Sequence, residues 1–172
     1  MRIFHFLWES FKWEDVINEN LNASDHFLNK PDCFGIYYIT GSHFIYGQNT
    51  LLYLGKAQEQ RFGYRLNQHD DFDITNIPAI KYLYIGKLLN RDDGNFNSWG
   101  DAINLSEKLF INSLLPAYNS QNIKGILQED QYADIHICNW NDIGILLPEI
   151  SGLRFSGKYW DQDKYPEKTL SE

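Results

Sequence analysis

The sequence predicts an α+β fold with a small antiparallel sheet, of about three strands, flanked by helices. The first observation behind this prediction is the order of elements, which runs helix, hairpin, helix, strand, helix and tail. The second is that two strand-like runs are separated by a Gly-Gln-Asn turn, as in an antiparallel hairpin. With 172 residues and no internal repeat or low-complexity linker, we predict a single domain over residues 1–172.

The N-terminal elements are predicted as a helix followed by the hairpin. Apolar residues recur through residues 8–21 with the spacing of an amphipathic helix. The run CFGIYYITG at 33–41 is β-branched and aromatic and follows a Pro-Asp turn signal, which predicts the first strand. The second strand is predicted at about residues 50–56. Tyr37 and Tyr38 should then lie on opposite faces of the sheet, with Tyr38 in the core, because side chains alternate along a strand.

The second half of the sequence predicts two more helices and a third strand. Residues 59–69 indicate a helix, and KYLYIGKLL at 81–89 indicates the strand. A polar loop, RDDGNFNSWGD, leads to a helix over 102–115, which Pro116 ends. The tail at 120–172 is mixed, with one strand expected in QYADIHICNW.

Composition excludes some classes of protein and disfavours others. No run of about 20 apolar residues is present, so a membrane protein is not expected. Cys33 and Cys138 have no zinc-ligand spacing, which favours a reduced, intracellular protein. The net charge of −8 argues against nucleic acid as a partner, but residues 50–91 hold six basic and four acidic residues. The fold could therefore assemble a local cationic face on an acidic body.

Four short blocks carry polar groups in a particular order. They are GIY at 35–37, YLGK at 53–56, RLNQH at 65–69 and SEKLFINSLLPAYN at 106–119. Together they resemble the GIY-YIG nuclease family. The twelve-residue step from Glu107 to Asn119 is similar to that of its restriction endonucleases. The resemblance covers residues 34–119, with the predicted N-terminal helix and residues 120–172 as additions to this motif core.

The resemblance implies a Mg²⁺- or Mn²⁺-dependent endonuclease that hydrolyses DNA. Glu107 would be the metal ligand, and Arg65 would stabilise charge on the phosphoryl oxygens. Tyr37 would be the general base, with its pKa lowered by Lys56 and the metal ion, since a free phenol has a pKa of about 10. Tyr53 would hold the phosphate or orient the water.

The remaining implied site residues are His69 and Asn119. His69 would accept from a tyrosine hydroxyl, take up the proton itself or contact the phosphate, and Asn119 would brace the site. Arg61 competes with Arg65 for the catalytic role, because the spacing to the second motif is longer than in the family. Arg65 is preferred because His69 follows it by four residues. Candidate nucleic-acid contacts outside the motifs are Arg61, Lys87, Arg91 and Trp99.

Two other interpretations compete with an active nuclease. A GIY-YIG-fold module could bind nucleic acid after losing catalysis, which the acidic composition favours but the intact motif residues disfavour. The motif match could also be a coincidence in an unrelated α+β protein, since a strand tyrosine is usually structural. For the nuclease, the expected partner is double-stranded DNA. A homodimer would let two copies cut both strands, at a specific sequence or without preference.

Overall fold

The structure is a computed structural model that describes residues 2–68, 79–89, 96–120 and 130–155. Its strands are β1 (Arg2–Lys12), β2 (Gly35–His43), β3 (Gly47–Ala57), β4 (Ile80–Leu88), β5 (Ile135–Asn141) and β6 (Glu149–Ser151). Its helices are α1 (Trp13–Ile17), α2 (Phe62–Asn67), α3 (Phe96–Leu114), α4 (Asp130–Ala133) and α5 (Gly152–Phe155), with a 3₁₀ turn at Phe27–Asn29. No helix in these ranges is long and apolar enough to cross a membrane.

The sheet is larger than the sequence predicts. Six strands form one mixed, curled sheet in the order β3-β2-β4-β1-β5-β6. Every neighbouring pair is antiparallel except β1 and β5, which are parallel. The predicted fold, a sheet of about three antiparallel strands flanked by helices, is therefore wrong. The hairpin and the strand at 81–89 do form, as β2, β3 and β4, but they make up only half of the sheet.

The predicted helix over residues 8–21 is also wrong. Residues 2–12 form β1, and only Trp13–Ile17 is helical. Phe6 and Trp8 alternate into the core along β1, which pairs with β4 on one side and β5 on the other. Pairing on both sides outweighs the local helical spacing, because strand formation depends on cross-strand neighbours that are distant in sequence.

The other helices differ from the prediction at their ends. Helix α2 begins three residues later than expected, at Phe62, and is described to Asn67. Helix α3 begins at Phe96, so the end of the predicted polar loop is helical. It ends at Leu114, shortly before Pro116. The strand expected in the tail is β5, and it brings the segment after the motif core into the same sheet.

Tyr37 and Tyr38 lie on opposite faces of β2, as predicted, and each belongs to a separate core cluster. Tyr38 packs with Trp8 and Phe110 on the face that α3 covers. Tyr37 packs with Phe62 and residues of α1 on the other face. Because fully burying one large apolar side chain contributes about 1.5–3 kcal/mol, each cluster holds its helices firmly to the sheet.

Trp8 links β1 to the neighbouring strand β5 and to helix α3. Its ring is fully buried and meets Phe110 edge-on, with ring centroids 5.9 Å apart. Its Nε1 donates to Oδ1 of the buried Asn139 on β5 at 2.8 Å, and the Asn139 amide in turn donates to the Leu147 carbonyl at 2.8 Å. Trp8 therefore fills the core and satisfies a buried polar group at once.

The Trp8→Phe substitution is expected to lower the free energy of unfolding by about 2–4 kcal/mol, because it leaves both a cavity and an unpaired acceptor on Asn139. Chemical denaturation monitored by far-UV circular dichroism measures this loss. The matched control is Trp140→Phe, since the Trp140 side chain is half exposed and water can replace the hydrogen bond that its Nε1 donates to the His5 Nδ1 atom. Equal losses in the two variants would contradict the role assigned to Trp8.

Candidate active site

An open cleft of about 730 Å³ lies where β3 ends, between α2 and α3. Its lining is polar and consists of Lys56, Gln58, Glu59, Gln60, Arg65, Gln68 and Asn104. Lys56 and Arg65 were predicted from the sequence as site residues, and both place positive charge in the cleft. The four amide side chains add hydrogen-bonding groups of both kinds. Glu59 adds one negative charge, so the lining suits a strongly polar ligand that Lys56 and Arg65 can contact.

The side chain of Tyr37 extends over the neighbouring edge strand β3 towards the edge of the sheet beside the cleft. It pairs with Gly55 in the β2–β3 register, and its ring lies over that residue. A Cβ atom at position 55 would stand 2.7 Å from the Tyr37 Oη atom, which is closer than real contacts allow. Glycine at position 55 is therefore what lets the phenol of Tyr37 extend across β3.

The hydroxyls of Tyr37 and Tyr53 are hydrogen-bonded to each other. The two ring centroids are 6.2 Å apart. Tyr37 is fully buried, whereas Tyr53 on the edge strand is partly exposed. The pair therefore leads from the core to the surface beside the cleft, with Tyr53 as its outer member.

Burial raises the pKa of Tyr37 well above its ordinary value. The neighbouring Tyr53 raises this pKa further, Arg65 lowers it, and Glu107 raises it. The pKa of Tyr53 is also raised, mainly by burial and further by Glu107, while Arg65 and the hydrogen bond with Tyr37 lower it. The two phenols, the guanidinium and the carboxylate are thus close enough to influence one another, although they come from four different elements.

Glu107 forms a salt bridge with a lysine side chain in this structure. The Lys56 Nζ atom lies 2.9 Å from the Glu107 Oε2 atom, and the carboxylate side chain is 15% exposed. The same ammonium donates to the Asn104 Oδ1 atom. Asn104 was missed in the sequence, although its position three residues before Glu107 puts both on one face of α3. Lys56, Asn104 and Glu107 therefore form one polar cluster between β3 and α3.

Asn119 braces the edge strand. Its Oδ1 atom accepts from the Leu54 backbone N–H at 2.9 Å, and its Nδ2 atom donates to the Leu54 carbonyl at 2.8 Å. Just before it, the Ala117 and Tyr118 N–H groups donate to the carbonyls of Leu51 and Leu52. The segment that follows α3 thus runs along β3 and holds it in place beside the site.

The structure gives Arg61 and Arg65 different surroundings. The Arg61 guanidinium donates to the Asn29 carbonyl oxygen at 2.5 Å. Asn29 is itself buried, and its side chain accepts from the Tyr64 N–H at 3.2 Å, which anchors the start of α2. Arg61 therefore secures the helix, while Arg65, one turn later, lines the cleft.

The remaining sequence candidates lie elsewhere or outside the described residues. Lys87 lies near two carboxylates, 3.5 Å from Asp32 and 3.9 Å from Glu9. Trp99 is partly buried and packs against the core cluster that contains Trp8. The candidates His69 and Arg91 lie outside the residues that the structure describes.

The residues present are compatible with one divalent cation bound mainly through water. In the described ranges, no group of three or more His, Cys, Asp or Glu side chains could enclose a metal ion. Mg²⁺ commonly uses only one or two protein carboxylates and keeps several waters. Glu107 offers such a carboxylate, which in this structure is paired with Lys56. The Asn104 amide oxygen lies on the same cluster.

No family model matches this chain, and no curated protein or solved structure is significantly similar to it. Its function is therefore inferred from the order of the motifs and from the arrangement of these side chains.

The Gly55→Ala substitution is expected to displace Tyr37 and to lower the free energy of unfolding by about 1–3 kcal/mol, because the new methyl group overlaps a buried ring. Chemical denaturation measures the loss, and the near-UV circular dichroism of the tyrosines should change with it. Gly100→Ala is the matched control, since its new Cβ would meet only the end of the Gln58 side chain. If Gly55→Ala is as stable as the wild type, the Tyr37 ring does not lie over Gly55 as described.

Stability should fall as the pH rises above about 10. The pKa values of Tyr37, Tyr38, Tyr53 and Tyr84 are raised, in each case mainly by burial. The stability that these buried, protonated tyrosines contribute is fully present at pH values below the pKa of an unfolded tyrosine. It is lost as the pH rises towards the raised values, because the unfolded chain releases these protons first. An absorbance titration of phenolate should therefore show these tyrosines ionising together with unfolding. Their ionisation in the folded protein near pH 10 would contradict their burial.

Proposed function

We propose that this chain is a divalent-metal-dependent endonuclease that hydrolyses DNA phosphodiester bonds with a GIY-YIG-type active site. The observation that carries the proposal is the convergence of Tyr37, Tyr53, Arg65 and Glu107 from β2, β3, α2 and α3. Lys56, from the same motif as Tyr53, contacts Glu107 directly. Four blocks that resemble the nuclease motifs in sequence order thus meet at one place.

Two basic side chains of the cleft support phosphate binding, although Glu59 also lines the cleft and Lys56 is paired with Glu107. Arg65 presents a permanent guanidinium whose planar donors match the geometry of phosphate oxygens. Lys56 adds a point charge on the opposite wall, between Asn104 and Glu107. In the proposed reaction, Arg65 binds the scissile phosphate and stabilises the charge that grows on its oxygens, because donors already in position act without reorganising.

Glu107 would hold the divalent cation, which when bound would polarise the phosphoryl group and acidify its bound water. Glu107 can accept such a cation only if its contact with Lys56 loosens. The released ammonium would remain in the cleft, where it can pair with a phosphate oxygen. Asn104 and Asn119 act indirectly in this proposal, since Asn104 positions Lys56 and Asn119 fixes β3 at Leu54.

The different exposure of the two tyrosines favours Tyr53 over Tyr37 as the residue whose phenolate takes the proton from water. Tyr37 is fully buried, whereas Tyr53 is partly exposed beside the cleft. Burial and, less strongly, Glu107 raise the pKa of Tyr53, while Arg65 and the hydrogen bond with Tyr37 lower it. We therefore exchange the roles that the sequence resemblance implied, so that Tyr37 positions and supports the phenolate of Tyr53.

A second candidate function is a binding module without catalysis. It is favoured by the Lys56 contact that occupies Glu107 and by the burial that raises the pKa of both phenols. Such a module would bind DNA through Arg65 and Lys56 and leave it intact. The two functions differ in one observable, which is cleavage.

The nuclease is tested by incubating supercoiled plasmid with the protein in Mg²⁺ or Mn²⁺. Cleavage should occur with the metal, stop when EDTA is added, and fall by about 10²–10³-fold or more in Glu107→Gln. Glu149→Gln, at an exposed carboxylate on β6, is the control and should cut normally. DNA binding without nicking under all of these conditions would favour the binding module instead. If the protein neither binds nor cleaves DNA, both candidate functions are refuted.

A further inference from the structure

The turn between β2 and β3 exposes three large apolar side chains, which we call the hairpin tip: Phe44, Ile45 and Tyr46. Their relative exposures are 101%, 74% and 68%, so Phe44 is as open to solvent as in an extended peptide. Contiguous apolar surface of this kind is uncommon on a soluble domain and usually marks an interaction site. The proposed cleavage site does not use it.

The hairpin tip is held in a fixed shape despite its exposure. The His43 Nδ1 atom accepts from the Ile45 and Tyr46 N–H groups at 3.1 and 3.2 Å. The His43 ring stacks on Tyr46 with centroids 4.7 Å apart, and Tyr118 meets it edge-on at 5.3 Å. The apolar side chains are thus presented by an ordered turn, so binding through them would cost little ordering entropy.

The tip and the cleft belong to one continuous piece of structure. Tyr118, which contacts His43, immediately precedes Asn119, which braces β3 at Leu54. Residues 33–58, which include β2, the tip and β3, contain no Asp or Glu, although the chain has 23 of them. A polyanion that binds at the cleft would therefore meet no carboxylate of this segment on its way to the tip.

We propose that the hairpin tip is a wedge that enters the base stack of the DNA held at the cleft. This inference rests on the proposed nuclease function. Apolar side chains inserted between base steps unstack and kink a duplex, and aromatic rings stack on the exposed bases. Tyr53 on β3 and Tyr46 of the hairpin tip are seven residues apart, which is about 23 Å in an extended strand. This length equals about seven base steps along one strand, so the wedge enters at about that distance from the cut.

The test uses duplexes that carry one abasic site, where the cost of unstacking is already reduced. Wild-type protein in Mg²⁺ should cut such duplexes preferentially about seven steps from the abasic site, as read by sequencing the ends. The variant Phe44→Ser/Ile45→Ser should lose this preference. When both proteins also carry Glu107→Gln, so that the DNA is not cut, the tip variant should bind intact duplex about tenfold more weakly than the protein with an unchanged tip. Fluorescence anisotropy measures this affinity.

Two variants keep the test specific. Ile145→Ser/Leu147→Ser removes two exposed apolar side chains elsewhere on the surface and should behave as wild type, while Phe44→Trp should retain the preference because it can still stack. If wild type cuts DNA but the tip variant matches it in affinity and cut position, the wedge is refuted and the nuclease stands. The wedge is also refuted if the control variant Ile145→Ser/Leu147→Ser loses as much DNA affinity as the tip variant. It is refuted as well if the tip variant differs from wild type only in its molar mass by light scattering, because the tip would then mediate contact between copies of this chain. Absence of any DNA cleavage or binding by wild type would refute both proposals.

Discussion

The site depends on one close approach, in which the ring of Tyr37 passes over Gly55. The β2–β3 register puts these two residues opposite each other, and the missing side chain on Gly55 leaves space for the phenol. Tyr37 can then form a hydrogen bond with Tyr53 on the edge strand, where the sheet meets the cleft. Any side chain at position 55 would break this connection, even if all the charged groups of the site were kept.

The charged groups around the tyrosines balance one another. Arg65 lowers the pKa values of both phenols and Glu107 raises them, while Lys56 pairs with Glu107. In the proposed enzyme, exchange of the ammonium for a divalent cation would tip this balance towards the phenolate of Tyr53. In the proposed enzyme, a net charge of −8 would not prevent DNA binding, because Arg65 places positive charge in the cleft and residues 33–58 carry no carboxylate.

The sequence predicted the elements that are determined locally. Turn residues and β-branched runs predicted β2, β3 and β4, and Pro116 predicted the end of α3. The strand β1 was missed, because its apolar spacing resembles a helix and its pairing with β4 and β5 is not visible in a local window. The choice between Arg61 and Arg65 likewise needed a distant partner, since the Asn29 carbonyl that binds Arg61 is 32 residues away. Asn104 was missed because nothing in a single sequence couples it to Lys56.

The most direct measurement of the central claim is a crystal structure with Mn²⁺ and a short DNA duplex, in which anomalous scattering locates the metal. For the proposed nuclease, a peak is expected at the Glu107 carboxylate, with a phosphate in contact with Arg65 beside it and the Tyr53 hydroxyl facing that phosphate. A metal bound elsewhere, with Lys56 still paired to Glu107 and DNA lying away from the cleft, would contradict it.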